Sequence, residues 1–299
     1  MALLGPTAAG KSDLALRLAE ELDAQIVSVD SMQVYRGMDI GTAKPAAVDR
    51  VRVPHHMIDL VDPDLPFSVA EFQREGRRVL ERLDDQHKTA LIVGGSGLHF
   101  RSLVDPLEFP PHDPEVRARI DGLETAAGLA RILEIDPTAA DVLDLANPRR
   151  VQRALEVYSL TGLTPTARAS GQDARAVAAY QPRLPFVAVG VDPGADLAPR
   201  VRRRLQVMLS IGFLDEVARL GDSLGPTAAE AVGYKQLLPV VRGEVSKEHG
   251  VSESIRATMS LAKRQRTYFR RDPRIDWVPW SRDPAELFEQ VKRSLVEET

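Results

Sequence analysis

A parallel β-sheet flanked by helices, interrupted by an inserted helical domain, is the α/β fold that this sequence predicts. Three observations carry the prediction. Short apolar runs alternate with helix-period segments over the first 94 residues. Four prolines between Asp105 and Pro114 then break any regular structure, and the stretch from Glu115 to Leu160 is helical in pattern with no convincing strand. The strand-and-helix alternation returns at Phe186–Val191, after Pro182 and Pro185. Strand, helix, strand in this rhythm is the signature of a parallel sheet with helices on both faces.

Taken in order, Ala2 to Leu4 forms a short apolar strand ahead of a glycine loop, few residues for a strand at the centre of a sheet. Ser12 to Leu22 is helical in period, and Ile26 to Val29 reads as the second strand. Val69, Phe72, Val79, Leu80 and Leu83 make a helical stripe that Ser68 and Glu71 start with a capping box. Ala90 to Val93 is a buried-type strand that runs into Gly94 and Gly95. Beyond the insertion, helices are expected at 195–210, 212–220, 228–241 and 252–270, then a last strand at 275–278 and a helix capped by Asp283. The expected domains are therefore a core in two parts, 1–104 and 182–299, with the helical insertion at 105–181.

Composition narrows the function classes. The 299 residues are 43% hydrophobic and 27% charged, as in ordinary globular proteins. No apolar run is long enough for a membrane span, and the start lacks the pattern of a signal peptide. Zero cysteines exclude disulfides and thiolate metal sites, and a cytoplasmic location is expected. The net charge of −4 does not advertise a nucleic-acid binder. The basic residues are clustered, however: Arg149, Arg150 and Arg153; Arg200 with Arg202 to Arg204; and Lys263, Arg264, Arg266, Arg270 and Arg271. A solvated helix face is the bland reading of each.

Gly5, Pro6, Thr7, Ala8, Ala9, Gly10, Lys11 and Ser12 fit G-x-x-x-x-G-K-[ST], the P-loop, and make the predicted fold P-loop NTPase-like. Glycines let backbone N–H groups curl around an anion, and the helix that follows adds a favourable dipole. Lys11 supplies charge to phosphate oxygens, and Ser12 is placed to ligate Mg²⁺. The motif marks a polyphosphate site, ATP-binding included, without naming the reaction. Asp30 ends the second strand, where ligands bind in such sheets. It is open to three readings: Mg²⁺ ligand, general base, or cap of the next turn. On the 195–210 helix, Val201, Leu205, Met208 and Leu209 form the apolar stripe, which Arg202 and Arg204 flank. Periodicity does not choose between those two arginines.

With these motifs in order, the chain resembles the tRNA dimethylallyltransferase (isopentenyltransferase) family over nearly its whole length. The resemblance rests on GPTAAGKS at Gly5 to Ser12, DSMQVYRGMDIGTAKP at Asp30 to Pro45 and GGSGLHF at Gly94 to Phe100. RRVQRALEVYSLTG at Arg149 to Gly162, GYK at Gly233 to Lys235 and AKRQRTYFRR at Ala262 to Arg271 complete it. It implies transfer of a dimethylallyl group from dimethylallyl diphosphate to N6 of the adenosine just 3′ of the tRNA anticodon, which is flipped into a channel. By resemblance Asp30 is the general base, Thr7 contacts the diphosphate, and Arg204 stabilises the leaving group with Lys11, Ser12 and Mg²⁺. The same resemblance assigns Asp30, Ser31, Met32, Gln33, Ser96, Arg149, Arg150, Val151, Gln152 and Arg153 to tRNA. The implied partners are the tRNA anticodon loop and dimethylallyl diphosphate, with no membrane, and a monomer is expected.

The chain departs from the family pattern at several positions. Ser96 and His99 stand where Thr and Tyr are usual, and Ala146 precedes Asn147 where an Asn-Asp pair is usual. Gln236 replaces a Glu, while Met259, Leu261 and Tyr268 replace Arg, Tyr and Trp. These positions are expected to bear on tRNA contact and packing, away from the P-loop, Asp30 and Arg204. A small-molecule or nucleotide kinase is the competing enzyme class, and an RNA-binding module the non-enzymatic one. His55 and His56 lie on a strand and point to opposite faces, which argues against a metal site with Asp59. Trp277, Trp280 and Tyr35 read first as packing residues, and Lys263 and Arg264 as either solvated or RNA-facing.

Overall fold

The computed structural model describes residues 1–297. The chain separates into two compact units, 1–104 with 185–299, and 105–184. In the first unit the opening elements are β1 (Ala2–Leu4), α1 (Lys11–Glu21), β2 (Ala24–Val29), α2 (Ala47–Arg52), β3 (His55–His56), α3 (Val69–Asp85), β4 (Thr89–Gly94) and α4 (Gly97–Val104). The second unit holds α5 (Pro114–Asp121), α6 (Thr125–Ile135), α7 (Pro148–Thr161), α8 (Pro165–Ala169) and α9 (Gln172–Ala178). The first unit resumes with β5 (Ala188–Gly190), α10 (Leu197–Ser210), α11 (Phe213–Leu220), α12 (Tyr234–Val241), α13 (Lys247–Phe269), β6 (Ile275–Trp277) and α14 (Pro284–Val296).

All six strands are parallel, in the order β3-β2-β4-β1-β5-β6. Three residues suffice for β1 because it pairs on both sides, Leu3 facing Val93 on one strand and Val189 on the other. Alternation along the strands puts Leu3, Ile26, Leu91 and Val189 in one cluster with Leu14 and Leu18 of α1 and Phe288 and Val291 of α14. Their neighbours Leu4, Val27 and Ile92 are also buried, so the sheet is covered on both faces. The carboxyl ends of β1, β2 and β4 lie side by side in register, Leu4 opposite Gly94 and Val29 opposite Gly94. The segments that leave them therefore emerge together.

The α/β class is the one expected, and the capping box of Ser68 and Glu71 starts α3. The helix expected at 228–241 is interrupted: Ala228–Glu230 is a 3₁₀ turn, and α12 starts only after Gly233, whose φ of 97° breaks the helix. Helix α13 begins at Lys247, five residues ahead of the expected start, because Ser246 caps it through His249 N. In the helical unit Ile120, Ile132, Val151 and Leu155 share a separate core. Among the described residues no helix is long and apolar enough to cross a membrane.

Candidate functional site

The loop after β1 is shaped by its residue types. A Cβ on Gly5 would stand 2.2 Å from the Val191 carbonyl oxygen, so only glycine fits there. Ala8 and Gly10 both adopt left-handed backbone, φ 63° and 83°, which turns the loop into the start of α1. No side chain caps α1, so its leading N–H groups remain open to an anion. Lys11 Nζ donates to Gly5 O at 2.9 Å and Pro6 O at 2.7 Å, closing the loop on itself. Burial, and then the Arg204 charge, push the Lys11 ammonium down to about 7, with Asp30 opposing. Ser12 is exposed at the second position of the helix.

Asp30 leaves the end of β2 and turns back on its own chain. Its Oδ1 accepts from Met32 N at 2.8 Å and from Gln33 N at 3.3 Å. The carboxylate thus caps the following turn and, in the same pose, lines a cavity of about 290 Å³ with Thr7, Ser31, Met32, Ser96 and Arg204. Capping the turn thus does not withdraw the carboxylate from the cavity. Gln33 is otherwise engaged, its amide joined to Ser28 Oγ at 2.8 Å and to the carbonyls of Thr42 and Ala43.

Helix α10 aims two arginines at the loop. Arg204 Nη1 donates to Thr7 Oγ1 at 3.1 Å, and Arg200, one turn earlier, donates through Nε to Ala8 O at 2.7 Å. Arg202 is exposed, so the structure selects Arg204 where periodicity left two candidates. Val201, Leu205 and Met208 of the same helix, with Phe213 and Leu261, give the cavity apolar wall. A charged, phosphate-ready floor beside an apolar wall suits a ligand that is anionic at one end and hydrocarbon at the other.

The 39–41 segment is fixed by a buried acid. Glu216 of α11 accepts from Asp39 N, Ile40 N and Gly41 N at 2.8 to 3.0 Å and from the Tyr234 hydroxyl at 2.5 Å. Burial and the Glu216 carboxylate push the Tyr234 phenol up, so it stays a donor. The staple holds Gly41 and Thr42 at the cavity wall.

Sequence reasoning missed Arg200, Gln265, Glu216 and Tyr234 as parts of this assembly. It also set the departures from the family pattern away from the P-loop, Asp30 and Arg204, and the structure brings three of them into the same cavity as Thr7, Asp30 and Arg204. Leu261 and Tyr268 line the cavity itself, as does Ser96. His99 Nδ1 lies 2.7 Å from Ser96 Oγ, and burial pushes its imidazole down to about 4, with Asp30 opposing. Arg264, also at the cavity, is exposed, as is Lys263. Trp280 donates to Asp196 beneath Arg200, Trp277 packs under Arg270, and Tyr35 is fully buried. His55 bonds Val53 O, His56 bonds Gln25, and Asp59 pairs with Lys44 and Arg50.

The remaining predicted residues lie on α7 of the helical unit. Arg149 and Arg150 are exposed, whereas Val151 is in the core with Leu155. Arg153 turns inward: it donates to Pro110 O and Pro111 O and pairs at 2.9 Å with Glu156, whose side chain is fully buried. Gln152 is half-buried beside Val151.

Residues 33–272 match the family model described as IPP transferase, and residues 1–59 that described as isopentenyl transferase. A tRNA dimethylallyltransferase of Streptomyces avermitilis is 42% identical, the match covering 99% of this chain and 95% of that one. The crystal structure of the full-length tRNA isopentenylpyrophosphate transferase of Bacillus halodurans is similar at a TM-score of 0.69 and 32% identity, over 99% of this chain and 96% of that one. A eukaryotic dimethylallyltransferase acting on tRNA is similar in fold, with a TM-score of 0.83 at 21% identity, over 99% and 79% of the two chains.

Proposed function

The chain belongs to the IPP transferase family, and from that premise we propose that it transfers the dimethylallyl group of dimethylallyl diphosphate to tRNA, at N6 of the adenosine 3′-adjacent to the anticodon. One observation carries the reading. Thr7, Asp30 and Arg204, from three separate segments, meet in a single cavity whose other wall is apolar.

In this reading the P-loop N–H groups and Lys11 hold the diphosphate, and the apolar wall takes the five-carbon chain. The adenosine is flipped out of its stack, since a stacked base cannot present its amine to a buried electrophile. The N6 nitrogen attacks the allylic carbon, the carbon–oxygen bond to the diphosphate breaks, and Asp30 takes the proton from N6. Arg204 and Lys11 stabilise the charge that develops on the departing oxygen. Among the described residues no group of three or more His, Asp or Glu forms a ready metal cage. Exposed Ser12 would instead give Mg²⁺ one hydroxyl ligand, diphosphate and water giving the rest, a pattern usual for this ion. Mg²⁺ so held supplies charge neutralisation to the diphosphate. The anticodon loop would meet Ser31, Met32 and Ser96 at the cavity and Arg149 and Arg150 on the helical unit. The reading includes action as a monomer in the cytoplasm.

The test is incubation of purified protein with unmodified tRNA, Mg²⁺ and dimethylallyl diphosphate, followed by mass analysis of the nucleosides. One C5H8 unit gained on an adenosine is the expected result. No gain, with ATP consumed in the presence of phosphoryl acceptors, would replace this reading with a kinase.

A further inference from the structure

Thr7 is held from two sides. Its hydroxyl accepts from Arg204, and its backbone N–H donates at 2.8 Å to Oε1 of Gln265, which reaches the loop from α13. In a phosphate-binding loop the backbone N–H groups turn inward to the anion. Here that of Thr7 is already taken by a side chain, so its peptide cannot rotate freely toward a phosphate. The amide of Gln265 lies against Gly95: a Cβ there would stand 2.6 Å from Nε2, so the glycine at 95 leaves the room the amide occupies. Gln265 also faces the cavity, on the same helical stripe as Leu261 and Thr258.

We infer that Gln265 is a positioning residue for the transfer step, acting through Thr7. Its carbonyl oxygen fixes the Thr7 peptide so that the hydroxyl stands beside Arg204 where the diphosphate oxygen departs. The inference rests on the transferase reading. Holding the loop in one orientation before the substrate arrives removes reorganisation from the barrier. It contributes little to ground-state anion affinity, because the bond it makes is internal to the protein.

The experiment compares Gln265→Met, which keeps the length and loses the acceptor, with Gln265→Glu, which keeps the acceptor. Thr7→Ala and the Thr7→Ala/Gln265→Met double variant complete the cycle. Single-turnover transfer, KM for tRNA and pyrophosphate affinity by calorimetry are read for each, with thermal unfolding as the check on folding. In Gln265→Met the transfer rate falls about 10- to 100-fold while pyrophosphate Kd and tRNA KM stay within about threefold. Gln265→Glu transfers faster than Gln265→Met at saturating donor, although its charge weakens pyrophosphate binding. The double variant is no slower than Thr7→Ala alone, the non-additivity expected of residues that act as a unit. An unchanged Gln265→Met, additive losses in the double variant, or parallel losses of rate, pyrophosphate affinity and melting temperature would each overturn the assignment. A wild-type protein that transfers nothing overturns the transferase reading and this inference with it. A transferring wild type beside an unchanged Gln265→Met overturns Gln265 alone.

Discussion

The Arg204 guanidinium meets the Thr7 hydroxyl at 3.1 Å, joining α10 to the P-loop within the cavity. Burial lowers the Arg204 pKa, with Asp30 opposing, yet a guanidinium starts so high that it remains charged. A buried lysine in its place would be pushed toward the neutral form, as Lys11 is. Arg204→Lys is therefore expected to lower the transfer rate about 10²- to 10³-fold, the scale of losing one pre-placed donor to a developing oxyanion. Single-turnover kinetics check it, and a loss below tenfold would remove Arg204 from that role.

Asp30 offers a clean separation of structure from chemistry. Both described hydrogen bonds go to Oδ1, from Met32 N and Gln33 N. An asparagine oxygen accepts the same two bonds, so Asp30→Asn keeps the turn and loses only the base. Transfer should fall by more than about 10²-fold while tRNA binding, followed by filter retention or anisotropy, survives. Residual turnover within tenfold, worth only about 1.4 kcal/mol, would show that another group takes the proton.

Lys11 predicts a proton uptake. Its folded-state pKa of about 7 lies below the ordinary 10.5, so at pH 8.5 the free protein holds it largely neutral. A bound pyrophosphate favours the charged form and draws the pKa back up. Calorimetry at pH 8.5 in buffers of different ionisation enthalpy should show the wild type taking up close to one proton more than Lys11→Arg, which is charged throughout. Equal uptake by the two would place the titration elsewhere. The sign for folding agrees: the unfolded chain binds more protons between pH 7 and 10.5, so this residue's contribution to stability rises with pH across that window.

The parts legible in the sequence were those encoded locally. The P-loop, the acid that ends β2 and the capping box before α3 each depend on residues a few positions apart, and each forms as spaced. Arg204 was half legible, because helical periodicity puts two arginines beside the apolar stripe and only packing against the loop tells them apart. Arg200 and Gln265 showed only as members of a basic cluster and of a motif, and Glu216 gave no signal, since each bonds to backbone groups far away in the chain. Glu216, beside Asp215 in the first turn of α11, reads as an ordinary acidic residue at a helix start. The placement of Leu261 and Tyr268 was misjudged for the same reason: that α13 turns this face to the cavity is a tertiary fact.

The arginines of α7 divide into two kinds. Arg149 and Arg150 are exposed, Arg150 holding only a solvent-facing pair with Asp144 at 3.5 Å, whereas Arg153 is committed to buried Glu156 and to the carbonyls of Pro110 and Pro111. Arg149→Ala/Arg150→Ala should weaken tRNA binding and shrink the slope of log K against log salt by about 1.5, at roughly 0.7–0.9 per phosphate contact. Arg153→Ala should leave that slope and instead destabilise the helical unit by about 1–3 kcal/mol, because a buried carboxylate loses a partner. An unchanged slope in the double variant returns Arg149 and Arg150 to the solvated face of the helix.

His99 should make the protein acid-sensitive in a defined window. Burial holds its folded-state pKa at about 4 against an ordinary 6.5, with Asp30 only partly opposing. Between these values the unfolded state binds more protons than the folded one, so stability falls as the pH drops from 6.5 to 4 and then levels with respect to this group. The slope contributed is at most about 1.4 kcal/mol per pH unit for one proton. His99→Gln keeps a side chain able to bond Ser96 and removes the titration. Urea unfolding of the two proteins across pH 4 to 7 should show the variant's stability changing less than the wild type's. Parallel curves would mean that His99 takes up its proton as readily in the folded protein as in the unfolded chain.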